Sequence, residues 1–153
     1  MSAPAAPASS DRLYPARPIA AVSVAVFRGG KVLVARRGRA PFKGAWSLPG
    51  GVVELGETLH AAARRELAEE LGVKAEIVGF TDHLESIARD SGGVRRHFII
   101  ASFFAKWTSG EAVGGEEAAD PRWIAPGEAA ALKTTPGLLA LLQKAERALQ
   151  AAS

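Results

Sequence analysis

Apolar and β-branched residues crowd residues 19–27 (IAAVSVAVF) and 32–35 (VLVA), and the polar stretch Arg28-Gly29-Gly30-Lys31 separates them. Two apolar runs around a Gly-Gly turn predict a β-hairpin, because glycine reaches the positive φ angles such turns need. The basic loop 36–39 (RRGR) follows, and residues 46–51 (WSLPGG) read as a short strand entering a tight turn. A helix is predicted next. Thr58 is a good N-cap, Gly72 a good C′ residue, and Leu59, Leu67 and Leu71 supply an apolar side. Residues 75–87 and 97–107 read as two longer strands joined by a turn at Arg89-Asp90-Ser91-Gly92-Gly93. A Gly- and Glu-rich loop covers 111–119, followed by a short strand at 121–124 and a short helix at 126–132. Residues 136–151 read as a terminal helix, with Pro136 near its first turn and Leu138, Leu141, Leu142 and Leu149 along one face. This order predicts an α/β fold, a mixed β-sheet covered by helices on both sides.

The helix after Thr58 carries Glu66, Glu69 and Glu70. At about 100° per residue, all three fall within an arc of about 100°. Leu67 and Leu71 lie roughly 140° from the centre of that arc, so one side can pack on a sheet while the carboxylates face a cleft. Like charges at three- and four-residue spacing repel each other. A cation among them removes the repulsion, and hard oxygen ligands suit Mg²⁺ or Mn²⁺. The plainer interpretation is a solvated amphipathic helix in which Arg65 and Glu69 make an ordinary i,i+4 pair.

The surrounding residues 51–73, GVVELGETLHAAARRELAEELGV, resemble the signature of the Nudix hydrolases. Gly51, Glu57, Arg65, Glu66, Leu67, Glu69, Glu70, Gly72 and Val73 stand at its defined positions, and none departs. More loosely, the resemblance extends over residues 18–150. It implies an α/β/α sandwich and hydrolysis of a nucleoside diphosphate linked to another group. Water would attack phosphorus with the help of Mg²⁺, or Mn²⁺ in its place. Glu66, Glu69 and Glu70 match the family's metal-binding glutamates. The family also uses a backbone carbonyl from the Gly-Gly turn, so Gly51, or Gly50 beside it, is the expected further ligand. Glu57 and Arg65 match a pair that braces the loop against the helix, which a charge-assisted hydrogen bond would do well. Some relatives take their general base from a loop near the last strand. Glu117 is the candidate here, with Glu116 as alternate, and Glu66 could serve instead.

Arginine forks match phosphate oxygens, which makes Arg36, Arg37 and Arg96 candidates for substrate binding, with Arg39 and Arg95 beside them. Trp46 is expected to pack under the Gly-Gly turn. His83 and His97 read as structural and His60 as a surface residue. Marks of particular subfamilies are sparse. Many ADP-ribose pyrophosphatases carry a proline about fifteen residues after the signature, near Ala88 here, but no proline lies between Pro49 and Pro121. Diadenosine polyphosphate hydrolases carry a tyrosine a little further on, and the one Tyr of this chain is Tyr14. The stretch 46–57 (WSLPGGVVELGE) is similar to small bacterial members grouped as ADP-ribose pyrophosphatase-like. Three activities stay open: hydrolysis of an ADP-ribose-like molecule or nucleotide sugar, release of pyrophosphate from a nucleoside triphosphate, and nucleotide sensing without turnover. An intact carboxylate cluster argues against the third.

Composition narrows the setting. A chain of 153 residues with 48% hydrophobic and 23% charged residues suffices for one domain with a real core. Residues 1–17, small and proline-rich, are expected to form a disordered tail and residues 18–153 the hydrolase domain. No apolar run is long enough to span a bilayer, and the start has no apolar h-region. With no Cys, disulfides, zinc thiolates and thiol nucleophiles are excluded, which fits a cytoplasmic protein. A net charge of +3 favours anionic substrates. The basic residues are spread along the chain, so the expected partner is a small nucleotide, with neither nucleic acid nor membrane. The resemblance leaves room for a homodimer, although no apolar stripe marks an interface.

Overall fold

The computed structural model describes residues 12–153. Seven strands form one sheet: β1 (Ile19–Arg28), β2 (Lys31–Arg37), β3 (Trp46–Ser47), β4 (Gly50–Val52), β5 (Lys74–Asp90), β6 (Gly93–Ser109) and β7 (Ala118–Ile124). Two α-helices, α1 (Leu59–Leu71) and α2 (Leu138–Ala151), complete the regular structure with a 3₁₀ helix at Pro126–Ala131. The main strand order is β3-β2-β1-β6-β5, while β4 pairs with β1 and β7 with β2. β1 and β6 run parallel, and the other pairs are antiparallel. The expected mixed sheet with helices on both sides is therefore what the chain forms.

The central strands are apolar on both faces, which is why β1 and β2 read as continuous runs rather than alternations. Val22, Val24, Val26, Leu33 and Ala35 point to the α1 side, where they meet Ala62, Ala63, Leu67 and Leu71. Ala25, Phe27, Val32 and Val34 point to the α2 side and meet Leu138, Leu141, Leu142 and Ala145.

α1 begins where the Thr58 hydroxyl accepts the Ala61 N–H at 3.1 Å and ends at Gly72, whose φ of 69° is left-handed. Leu59, expected on the packed side, is 42% exposed, and the fully buried pair Ala62 and Ala63 occupies that side instead.

Three other elements differ from expectation. β6 starts at Gly93, not at residue 97, so β5 and β6 form a long hairpin around Ser91 and Gly92. β7 starts at Ala118, not at residue 121, because Ala118 and Ala119 pair with Arg37 and Arg36 of β2 before an irregularity at Asp120 (φ 49°). The helix expected at 126–132 is the 3₁₀ helix, with the Glu128 carboxylate accepting the Ala125 N–H at 3.1 Å.

Most of the expected disordered tail, residues 1–11, lies outside the described residues. Within its last part, the Tyr14 N–H donates to the Arg95 carbonyl at 2.8 Å and the Tyr14 hydroxyl donates to Asp90, which ties this segment to the β5–β6 hairpin. Among the described residues no helix is long and apolar enough to cross a membrane.

Candidate active site

α1 lays Glu66, Glu69 and Glu70 along one wall of a cavity of about 220 Å³. The opposite wall is the loop entering β7, with Gly115, Glu116, Glu117 and Ala118. A smaller cavity of about 40 Å³ adjoins it through Glu70, Glu117 and Ala118, and is lined further by Arg36, Arg37 and the residues from Ser47 to Gly50. The helix that packs the core thus carries the carboxylates, and the β2 end and the β3–β4 turn bring the arginines and glycines beside them.

Both glycines of that turn permit close approach. A Cβ on Gly50 would collide with the Val22 carbonyl of β1, and one on Gly51 would collide with the Glu66 carboxylate. Gly51 therefore sits directly against the most buried carboxylate of the cluster, Glu66, which is 9% exposed.

Arg65 organises the floor. Its Nε donates to Glu57 Oε2 at 2.7 Å and its Nη2 to Glu57 Oε1 at 3.0 Å, a fork on one carboxylate. Nη2 also donates to the Val52 carbonyl at 3.0 Å, and Nη1 to Glu66 at 2.8 Å and Glu69 at 3.1 Å. One guanidinium therefore joins β4, the loop before α1 and two carboxylates of the helix. The hydrogen bonds from Arg65 hold the Glu57 carboxyl below the usual carboxylate range, and Glu57 in turn raises Arg65. Glu54, which sequence reasoning passed over, adds an ion pair to Arg65 at 3.7 Å.

Glu70 lies in the opposite electrostatic situation. Burial, the Glu66 carboxylate beside it and the charge of Glu117 push its carboxyl up to about 9, against the smaller opposing effect of the Gly50 N–H. A carboxylate so placed ionises at neutral pH only if a positive charge joins it.

The loop carrying Glu116 and Glu117 is pinned to the end of β2. The Gly38 N–H donates to the Glu117 carbonyl at 3.0 Å, and a Cβ on Gly38 would overlap the Glu116 carbonyl oxygen. The Glu117 side chain is ion-paired to Arg39. Nothing in the local pattern at Gly38 announces its contacts with Glu116 and Glu117, far along the chain.

The candidate arginines are divided. Arg37 donates from Nε to the Pro41 carbonyl at 2.7 Å; its burial lowers the guanidinium, and Glu70 raises it. The charges of Arg39 and Arg96 lower it further. Arg36 donates to the Gly44 carbonyl at 3.3 Å and pairs with Asp120 at 3.4 Å. Arg95 is engaged by Asp90 at 3.4 Å. Arg96 borders neither cavity. Trp46, expected beneath the Gly-Gly turn, is buried on the α2 side with the Arg122 guanidinium 4.7 Å from its ring centre. His60 is exposed, as expected, and meets Phe103 edge-on at 5.0 Å. Ser47, Leu48 and Pro49 also line the smaller cavity, and only their place next to the Gly-Gly turn could have pointed to them.

The donor set fits a hard divalent cation: carboxylates converge on one cavity, and burial and neighbouring carboxylates raise one of them, Glu70. Among the described residues, however, no three acidic or histidine side chains already stand around one point at ligand spacing. Glu66 and Glu69 are instead both hydrogen-bonded by Arg65.

Known proteins are similar to this chain in sequence and in fold. The chain is 36% identical over 113 residues to an ADP-ribose pyrophosphatase of Methanocaldococcus jannaschii, covering 74% of this chain and 64% of that protein. It is 50% identical over 64 residues to a putative 8-oxo-dGTP diphosphatase 2 of Mycobacterium tuberculosis, covering 41% of this chain and 45% of that protein. The chain thus spans less than two thirds of the length of either relative. The fold matches the crystal structure of a MutT NUDIX hydrolase from Burkholderia pseudomallei with a TM-score of 0.70 and 27% identity, over 84% of this chain and 98% of that one. The model of the NUDIX domain matches residues 17–145, nearly the whole described chain, and the protein is accordingly a member of that family.

Proposed function

We propose that this chain hydrolyses the diphosphate bond of a nucleoside diphosphate linked to another group, an ADP-ribose-like molecule or a nucleotide sugar. The observation that carries this reading is one cavity in which Glu66, Glu69 and Glu70 face Glu117, next to a smaller cavity lined by Arg36 and Arg37. Oxygen donors for a hard cation and guanidinium forks for phosphates stand side by side. The name of the archaeal relative, ADP-ribose pyrophosphatase, supports the substrate class.

Glu66, Glu69 and Glu70, with the Gly51 carbonyl, would hold Mg²⁺ or Mn²⁺. Such an ion, when bound, neutralises charge on phosphate oxygens and makes a bound water more acidic. The remaining work belongs to the chain. Arg36 and Arg37 bind and orient the diphosphate. Glu117 accepts the proton of the attacking water as its oxygen bonds to phosphorus. The bridging P–O bond breaks, and the second phosphate leaves with the bridging oxygen. Arg65 and Glu57 touch no substrate and hold Glu66 and Glu69 in place.

A second reading is removal of pyrophosphate from a nucleoside triphosphate, favoured by the 50% identity to the putative 8-oxo-dGTP diphosphatase. A hydrolysis panel with Mg²⁺ and product identification separates the two. AMP and ribose phosphate from ADP-ribose would support the first, and pyrophosphate with a nucleoside monophosphate the second. Glu70→Gln should abolish either reaction. Turnover that survives it would overturn the metal assignment, and no turnover on any nucleotide would favour a sensor.

A further inference from the structure

We propose that Arg39 is a substrate-operated latch on Glu117: the arginine pairs with the glutamate in the empty cleft and moves to a phosphate of the substrate, releasing the carboxylate for its work. The proposal rests on the hydrolase reading above and adds to it a role for Arg39.

The backbone of this region has little freedom. Gly38 bonds the Glu117 carbonyl and lies so close to the Glu116 carbonyl that no side chain fits between them. The β2 end and the loop entering β7 therefore form one unit, and motion is left to side chains. The Arg39 and Glu117 side chains, 42% and 53% exposed, are the ones free to turn. Their ion pair is open to water, where such pairs are weak and exchange readily. While it lasts, the guanidinium occupies one Glu117 oxygen.

A diphosphate changes the competition. It carries more negative charge than a carboxylate and offers oxygens that match the arginine fork. Arg39 stands two residues from Arg37 and is paired with Glu117, and both of these line the cavity where that diphosphate would sit. Glu117 borders both cavities, and its charge already reaches Glu70, so a released carboxylate turns toward the helix glutamates without any backbone shift. One arginine thus serves two anions in succession, and the base is freed only when substrate has arrived.

A double-mutant cycle read by calorimetric titration with inorganic pyrophosphate, in Mg²⁺, tests this on the full chain. If pyrophosphate must take Arg39 from Glu117, then Glu117→Gln binds it about two- to fivefold more tightly, the size of a solvent-screened ion pair. Arg39→Ala binds it about tenfold more weakly, as loss of a charge-assisted contact predicts. The double variant binds like Arg39→Ala alone, because Glu117 has nothing left to compete for. A gain from Glu117→Gln that is equally large without Arg39 reports simple charge repulsion and overturns the latch. So does an Arg39→Ala protein with wild-type affinity, or a wild-type protein that does not bind pyrophosphate. Arg39→Lys, which keeps the charge without the fork, replaces Arg39→Ala in the cycle if the latter does not fold. Hydrolysis measured on the same proteins keeps the two readings apart. Coupling without turnover would retain the latch and remove the hydrolase reading, and turnover without coupling would do the reverse.

Discussion

The N–H of Gly38 donates to the Glu117 carbonyl at 3.0 Å, and the neighbouring Glu116 carbonyl occupies the space a side chain at residue 38 would need. Because the obstacle is backbone, it cannot turn aside as a flexible side chain could. Gly38→Ala must shift the loop that carries Glu116 and Glu117 relative to β2. The expected cost is about 1–3 kcal/mol of stability. Activity should fall further than stability accounts for, with a loss in kcat well below the melting transition. Steady-state kinetics at 25 °C beside a thermal melt would check this. A variant that melts early but keeps wild-type kcat would show that the loop position does not matter to the reaction.

Arg65 makes a different kind of contact, in which geometry counts as much as charge. Its fork on Glu57 and its bonds to Glu66, Glu69 and Val52 use three nitrogens in fixed directions. Lysine supplies a charge without these directions. Arg65→Lys is expected to lose about 1–2 kcal/mol and at least tenfold in kcat, and Arg65→Ala to lose more of both. In Arg65→Ala four carboxylates lose their common partner, so added Mg²⁺ should raise its melting temperature more than that of the wild type. An Arg65→Lys enzyme with full activity would mean that charge alone suffices.

Glu70 gives the fold a pH dependence whose sign is fixed. Its carboxyl in the folded chain is pushed up to about 9, well above its ordinary value near 4.5, so in that interval the folded state holds a proton the unfolded state has lost. Stability without metal should then decline as pH rises from about 4.5 to about 9, by at most about 1.4 kcal/mol per pH unit for one proton. A divalent cation among the glutamates removes the penalty on the charged form, so Mg²⁺ should stabilise more at pH 8 than at pH 5.5. Thermal melts in EDTA and in Mg²⁺ across this range, on wild type and on Glu70→Gln, isolate the contribution. If the two proteins show the same pH slope in EDTA, Glu70 is not the group responsible.

What the sequence disclosed was set by how far apart the interacting residues are. The start and stop of α1 were legible because Thr58 and Gly72 act on their immediate neighbours. The meeting of Arg65 with Glu57, eight residues apart, was legible only through the family resemblance. The hairpin of β1 and β2 was legible from its Gly-Gly turn. The start of β7 was not, because Ala118 and Ala119 are held by pairing with Arg37 and Arg36, on a strand some 80 residues earlier. The pairing overrides a Gly- and Glu-rich stretch that looks like loop. For the same reason the partners of Arg36 and Arg39, Asp120 and Glu117, could not be read from local pattern. Leu59 was placed on the packed face by periodicity alone, which does not show how far the sheet extends beneath the first turn.

The two sides of the sheet offer a last comparison. Leu67 on α1 and Leu142 on α2 are both almost completely buried, at 1% and 0% exposure, in separate clusters. Truncating either to alanine should cost about 2–5 kcal/mol, or roughly 4–20 °C in melting temperature for a chain of this size. Their effects on the site should differ. Leu67 follows Glu66 directly and anchors the helix that carries the glutamates, so relaxation around a cavity there shifts the carboxylates. Leu142 lies across the sheet, and no residue of α2 lines either cavity. Leu67→Ala should therefore weaken Mg²⁺ affinity several-fold at a temperature where both variants are folded, while Leu142→Ala leaves it unchanged. Titrating Mg²⁺ by its effect on hydrolysis rate, with circular dichroism to confirm folding, would show it. Equal losses in the two variants would mean that the sheet transmits packing defects from one face to the other, and that α1 does not hold the site by itself.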